Sequence, residues 1–358
     1  MPGIWAYGPV KRVLVAGATW RLGQLEGLRR PDGRLGGWAG ETCFGGILLW
    51  RQWHPGGWGT LATVALGNTG FWRPPPTISA VWTDGPVSSV LVAAVQLTST
   101  PDPDINFAAA EELIELAARR GAELVGLPEN FAFMGSDQRR LELAASLAER
   151  CGQFLVTMAR RYQVTLLGGG FPVPAGPGHT FNRAELVSQE GQLLARYDKI
   201  HLFDVDLPDG NTYRESSNVT PGDQLPPVAE VSGLGRVGLS ICYDVRFPEL
   251  YRHLAASGAD LLMVPAAFTA YTGKDHWQVL LQARAIENTA YVIAPAQTGI
   301  NYDRRHTHGH ALVIDPWGTV LADAGVAPGL AIAPVDLAHV QRVRNQMPSL
   351  QHRRPALF

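Results

Sequence analysis

The chain has 358 residues, of which 46% are hydrophobic, and a formal net charge of -2. That is apolar material enough for one large α/β domain and excludes a disordered chain, while the missing basic excess argues against nucleic acid as a partner. Its three cysteines (Cys43, Cys151 and Cys242) have no CxxC spacing, which argues against a disulfide framework and a zinc ribbon and suits a reducing cytoplasm. No apolar run reaches the roughly 18 to 20 residues of a membrane span, and no leader pattern opens the chain, so a cytoplasmic protein without membrane partners is expected.

Residues 1 to 88 differ from the rest. They hold eight of the ten tryptophans and 17 of the 39 glycines, and carry +4 against -6 for the remainder. Val13 to Gly23 resembles a strand entering a dinucleotide-binding turn, but Trp20 stands where a small residue belongs and no ribose-binding acid follows. With scattered glycine, three prolines at 74 to 76 and no periodicity, this part is expected to be an extension with little packed structure, arising from a start placed too far upstream.

From residue 89 the pattern is regular. Val90 to Leu97 predicts a buried strand, Asn106 to Arg120 a helix closed by Gly121, Ala122 to Leu127 a strand, Asp137 to Tyr162 a helix and Val164 to Gly170 a strand. Ala184 to Tyr197 predicts a hairpin turning near Glu190-Gly191. Next come a strand at Arg236 to Cys242, a helix at Arg246 to Ser257, a strand at Asp260 to Val264, a helix at Asp275 to Thr289 and a strand at Tyr291 to Pro295. Gly309 to Asp315, Thr319 to Ala322 and Leu330 to Val335 complete the strands, with a tight turn at Asp315-Pro-Trp-Gly318. Strands apolar throughout imply burial on both faces, hence α/β sheets with helices packed outside.

Three ionisable residues sit at ends of these elements. Cys242 closes a strand just before a helix, where free N–H groups favour a thiolate or an oxyanion. Glu129 follows an apolar strand and a proline, and Lys199 ends the predicted hairpin. Each alone has an ordinary explanation: a buried small hydrophobe for the cysteine, a solvated loop residue for the other two. Together, Leu-Pro-Glu129, Tyr-Asp-Lys199-Ile-His-Leu and Cys242-Tyr-Asp-Val-Arg-Phe-Pro-Glu, separated by 70 and 43 residues, resemble the three catalytic motifs of the nitrilase superfamily of carbon-nitrogen hydrolases. The resemblance covers residues 89 to 358. It implies a four-layer α-β-β-α sandwich that dimerises through its helical face, with no metal and no organic cofactor.

Carried onto this chain, the resemblance makes Cys242 the nucleophile, Glu129 the general base and Lys199 the oxyanion stabiliser and proton donor. Glu215, in Tyr213-Arg-Glu-Ser216, corresponds to a second glutamate that holds Lys199 or the substrate amide. The thiol attacks a small-molecule amide, ammonia leaves a thioester, and water completes the cycle, with the Tyr243 N–H as a second oxyanion donor. On this reading Lys199→Ala slows turnover severely without unfolding the protein.

Cys242-Tyr-Asp resembles the amidase branches, since nitrile hydrolysers typically have Cys-Trp-Glu. Ala283-Arg-Ala-Ile-Glu-Asn288, Asp315-Pro-Trp-Gly-Thr-Val320 and Gln351-His-Arg-Arg-Pro355 resemble the branch that hydrolyses deaminated glutathione. The related ω-amidase activity on 2-oxoglutaramate, a nitrilase and a non-catalytic interaction module are the alternatives. Such substrates are anionic, so Arg246 is an expected carboxylate anchor, with a helix-start ion pair as its structural alternative. Phe268 and Thr269 are expected wall residues. His306, His308 and His310 alternate as zinc ligands on a strand would, but no Cys, Asp or Glu is interleaved among them, which favours polar lining of a strand or loop near the site. His276 offers a Cys-His dyad, though Arg284 and Glu287 in the same predicted helix point to helix ordering.

Overall fold

The computed structural model describes residues 89–303 and 305–357 and, before them, three strands: β1 (Trp38–Phe44), β2 (Ile47–His54) and β3 (Gly57–Ala65). The chain divides into two units, Met1–Thr83 and Asp84–Phe358. In the first, the three strands pair antiparallel in sequence order. Val13 to Gly23, the dinucleotide-like stretch, lies outside the described residues, as does most of the stretch for which little packed structure was expected.

The second unit opens with β4 (Val90–Leu97), α1 (Pro103–Arg119), β5 (Ala122–Gly126), α2 (Asp137–Tyr162), β6 (Thr165–Pro174), β7 (Thr180–Val187) and β8 (Leu193–Asp198). A short antiparallel ribbon of β9 (Asp204–Asp206) and β10 (Thr212–Arg214) follows. Then come β11 (Val228–Val231), β12 (Gly235–Leu239), α3 (Pro248–Ala256), β13 (Leu261–Met263), α4 (Ala270–Asn288) and β14 (Tyr291–Ala294). The chain continues through β15 (Ala296–Tyr302), β16 (Arg305–His308), β17 (Leu312–Ile314), β18 (Val320–Asp323), β19 (Gly329–Val335) and α5 (Leu337–Gln346).

One sheet runs β16-β15-β4-β5-β6-β7-β8, with β19 antiparallel along β4; the other runs β11-β12-β13-β14-β17-β18. The reason β4 is apolar at nearly every position is visible in its two faces. Ala93 and Val95 pack with Ile114 and Ala117 of α1 and Leu155 of α2, whereas Val92 and Ala94 join Leu239, Leu262 and Ile293 of the second sheet. Leu250 and Leu254 of α3 and Trp277 and Leu281 of α4 complete that second core. Four layers result, α-β-β-α, as the family resemblance implies. Among the described residues no helix is long and apolar enough to cross a membrane.

Three helix starts differ from the sequence pattern. α1 begins at Pro103, three residues before Asn106, because the Asp102 carboxylate caps it, accepting the Asp104 N–H at 2.9 Å. The segment after Cys242 forms a 3-10 turn, Cys242–Arg246, and α3 begins only at Pro248, whose fixed φ suits the first helical position. α4 begins at Ala270, five residues before Asp275, because Thr269 caps it: its hydroxyl accepts the Thr272 N–H at 3.5 Å. The loop between β13 and α4 joins the two sheets: Pro265 accepts the Cys242 N–H at 2.9 Å, and the Ala267 N–H reaches Glu129 at 2.9 Å.

Candidate active site

Glu129 leaves the end of β5 and is 4% exposed. Its Oε2 accepts the Ala267 N–H, and its Oε1 accepts Asn182 Nδ2 at 2.9 Å and Lys199 Nζ at 3.2 Å. Its own carbonyl accepts Gln297 Nε2 at 3.0 Å, which anchors the backbone behind the carboxylate. Two glycines in β6 let this packing happen. A Cβ on Gly169 would stand 2.3 Å from the Leu127 carbonyl, and one on Gly170, at φ +50°, would stand 2.6 Å from Asn182 Oδ1 and 2.8 Å from Glu129 Cγ. Gly170→Ala is therefore expected to displace both Asn182 and Glu129, lowering kcat by about 10-fold or more and stability by about 1 to 3 kcal/mol. Paired initial-rate and denaturant measurements check this; wild-type values for both would contradict it.

Lys199 follows β8 and is 2% exposed, an ammonium in the interior that must be paired. Besides Glu129 it donates to both Glu215 oxygens, at 3.1 and 2.8 Å. Glu215 opens a 3-10 turn, accepts the Phe203 N–H at 2.7 Å, and shares Asn182 Nδ2 with Glu129 at 3.3 Å. Asn182 thus bridges the two carboxylates while Lys199 neutralises them.

Cys242 takes φ +47°, a left-handed backbone costly for a residue with a Cβ, and so points its thiol off the strand axis into the site. A buried clasp fixes this turn. Asp244, fully buried, accepts the Ile241 N–H and the Tyr197 hydroxyl at 2.8 and 2.9 Å on one oxygen and His201 Nδ1 at 2.8 Å on the other. The Tyr-Asp-Lys-Ile-His and Cys-Tyr-Asp segments are therefore one structural unit, and His201 also stacks on Phe247 with ring centroids 3.6 Å apart. From behind, Arg284 Nε holds the Val245 carbonyl at 2.9 Å and pairs with Glu287 at 2.6 Å.

Burial pushes the Cys242 thiol well above its ordinary pKa, the Glu129 charge and hydrogen bond add to this, and Lys199 pulls the other way. Burial alone would also raise Glu129, but Lys199, the Cys242 thiol, the Ala267 N–H and Asn182 hold it below its usual value. For Lys199, burial opposes the charge, yet Glu129, Glu215 and Cys242 keep it above the ordinary lysine range. The resting triad is a neutral thiol, a carboxylate and an ammonium, so a thiolate forms as its proton moves to Glu129.

These groups open on a cavity of about 160 Å³ lined by Glu129, Asn182, Lys199, Glu215, Cys242 and Phe268, with Thr269, Tyr213, Arg140 and Arg305 also on its wall. Of the residues expected from sequence, Glu129, Lys199, Glu215, Cys242, Phe268 and Thr269 converge here. Tyr243 and Arg246 stand outside the lining: the Arg246 guanidinium lies 5.1 Å over the Phe268 ring and 5.9 Å over Tyr243, with Nη1 3.3 Å from His276 Nδ1. His276 itself is exposed on α4. His310 pairs with Asp323 at 2.9 Å and stacks against His308; among the described residues no group of three or more His, Cys, Asp or Glu side chains is placed to hold a metal ion. Asn182, Arg140 and Arg305 were missed. The Gly168-Gly-Gly170 run, which marks a close backbone approach, was the available signal for the first of them.

The carbon-nitrogen hydrolase family model matches residues 91–345, and the chain belongs to that family. It is 64% identical, over 265 residues covering 74% of this chain and 97% of the relative, to a deaminated glutathione amidase of Synechocystis sp.. It is 42% identical to the deaminated glutathione amidase of Homo sapiens, over 75% of this chain and 83% of that one. Among solved structures it resembles the NitFhit protein of C. elegans, with a TM-score of 0.71 at 38% identity over 75% of this chain and 66% of that one. It also resembles an amidase from Nesterenkonia sp. AN1 carrying the acetamide moiety of fluoroacetamide added covalently at its active site cysteine, with a TM-score of 0.65 at 31% identity over 76% and 96% of the two chains. This chain is thus a carbon-nitrogen hydrolase of the amidase kind.

Proposed function

We propose that this chain hydrolyses deaminated glutathione, with Cys242 as nucleophile. The observation that carries the chemistry is the meeting of thiol, carboxylate and ammonium in one buried cavity; the substrate follows from the 64% identity to an amidase of that name. Cys242 adds to the amide carbonyl carbon as its proton passes to Glu129, and Lys199 stabilises the oxyanion. The C–N bond then breaks, Glu129 protonates the departing amine, and a thioester remains. That amine is ammonia for a primary ω-amide and the cysteinylglycine amine for deaminated glutathione. Water, deprotonated by Glu129, releases the acid and restores the thiol. Glu215 keeps Lys199 in register throughout.

Activity of the purified full chain on deaminated glutathione, 2-oxoglutaramate and a simple nitrile tests the reading. The highest kcat/KM is expected for the first; a tenfold preference for either of the others overturns the assignment.

The pH profile is a second expectation. With Glu129 depressed, the acid limb of kcat/KM lies below the ordinary carboxylate range. The stability from this triad has the same sign: it is present above the unfolded glutamate pKa and fades as pH falls through the depressed folded value. Because Lys199 is raised, its share is present below the ordinary lysine pKa and is lost only as pH rises through the folded one. An acid limb near pH 6 to 7 in the wild type would contradict this.

The setting we infer is a cytoplasmic homodimer built through the outer helical layer. Val279 and Ile286 of α4 and Trp317 beside them are exposed apolar side chains on that face, and a monomer in sedimentation equilibrium would refute the assignment.

A further inference from the structure

Two guanidinium groups stand on the cavity wall, and one of them has no carboxylate partner among the described residues. Arg140, in the first turn of α2, donates Nη2 to Asp137 at 2.9 Å and to Asn218, while its Nε is buried without a hydrogen-bond partner. Arg305, at the start of β16, also has a buried Nε without a partner, and its guanidinium lies 5.6 Å over the Tyr213 ring. Among the described residues no carboxylate pairs with Arg305. A buried N–H without an acceptor is costly, and two guanidiniums on one wall repel unless an anion comes between them. Burial, and then the Arg305 charge acting against the pull of Asp137 and Glu215, keeps the Arg140 pKa below the usual arginine value, so the two cations sense each other.

Two other cations on the cavity wall are paired, and a third near it lies outside the lining. Lys199 lies between Glu129 and Glu215, and Arg214 forks onto both oxygens of Asp206 at 2.7 and 2.8 Å. Arg246 covers Phe268 outside the lining. A planar carboxylate in the cavity would meet two guanidinium groups on one wall, and guanidinium N–H donors suit carboxylate geometry.

We propose that Arg140 and Arg305 form a carboxylate-binding subsite that holds the terminal carboxylate of the acyl half of the substrate while its amide carbon rests at Cys242. The subsite selects amides of dicarboxylic acids over neutral amides, and it deepens the amide-hydrolase reading on which it rests. Tyr213 and Thr269 line both this cavity and a neighbouring depression with Lys274 and His306.

The test compares 2-oxoglutaramate with pentanamide, which has the same five-carbon acyl length and no carboxylate, on the full-length wild type, Arg305→Gln, Arg140→Gln and Arg246→Gln. Arg305→Gln is expected to raise KM for 2-oxoglutaramate about 10- to 100-fold with kcat nearly kept, while pentanamide kinetics change by less than about 3-fold. Arg305→Lys should restore part of the lost affinity. Arg140 also ties α2 to Asn218, so its variant is read only as the ratio between the two substrates, where a folding defect cancels. Equal losses on both amides in the Arg305 variant, or a selective loss confined to Arg246→Gln, overturn the subsite. If the wild type cleaves both amides without preferring the anion, the subsite fails and the hydrolase reading stands; if it cleaves neither, nor deaminated glutathione, the hydrolase reading itself fails.

Discussion

Cys242→Ala is expected to reduce turnover by about 10⁴-fold or more while the thermal melting curve stays close to that of the wild type. The two halves of this expectation have separate causes. Among the described residues no second thiol stands on the cavity wall, Glu129 is tied by three donors and Lys199 is held protonated between two carboxylates. The turn itself is held elsewhere, by Asp244 on Ile241, Tyr197 and His201 and by Arg284 on the Val245 carbonyl, so removing the thiol leaves the local fold intact. The positive φ at this position constrains alanine no more than cysteine. Intact-protein mass measured during turnover adds a direct readout, with a thioester adduct on the wild type and none on the variant. More than a hundredth of wild-type activity in Cys242→Ala would remove this residue from the chemistry.

The layered fold was legible because burial on both faces writes itself as unbroken apolar runs, as in Val90–Leu97, and because each helix core face repeats at helical spacing. The site was legible where strand ends carry ionisable residues that a packed core would reject: Glu129, Lys199 and Cys242. What stayed hidden has physical reasons. β9 and β10 have three residues each, largely polar and none buried, so no apolar run marks them, unlike the equally short but buried β13 and β17. Asn182 sits in β7, whose start at Thr180 is polar because that end faces the site rather than the core. Arg140 and Arg305 come from a helix start and a polar strand, where arginine is ordinary on any surface, and only the tertiary arrangement brings them to one cavity. Arg246, expected as the anchor from its closeness to Cys242 in the chain, has its guanidinium over the Phe268 ring at the end of the 3-10 turn.

Lys199→Ala is expected to lower kcat by about 10²- to 10³-fold, the scale of losing one oxyanion donor, and also to destabilise the protein by about 3 to 5 kcal/mol. The sequence suggested only the first effect, because a lysine at a hairpin end is normally solvated. At 2% exposure, Lys199 is instead the counter-ion of two carboxylates that share one asparagine amide, Asn182 reaching Glu129 at 2.9 Å and Glu215 at 3.3 Å. Without the ammonium these like charges face each other in the interior, and one must take up a proton. If Glu129 does so, it can no longer receive the thiol proton, and the acid limb of the pH profile moves upward toward neutrality. Charge repulsion and lost catalysis can then be separated. In the double variant Lys199→Ala with Glu215→Gln one carboxylate is removed, so most of the lost stability should return in denaturant melts and the acid limb should move back down, while kcat stays low because the oxyanion still lacks its cation. Recovery of kcat together with stability would show that Lys199 serves the fold alone, and would leave oxyanion stabilisation to the backbone.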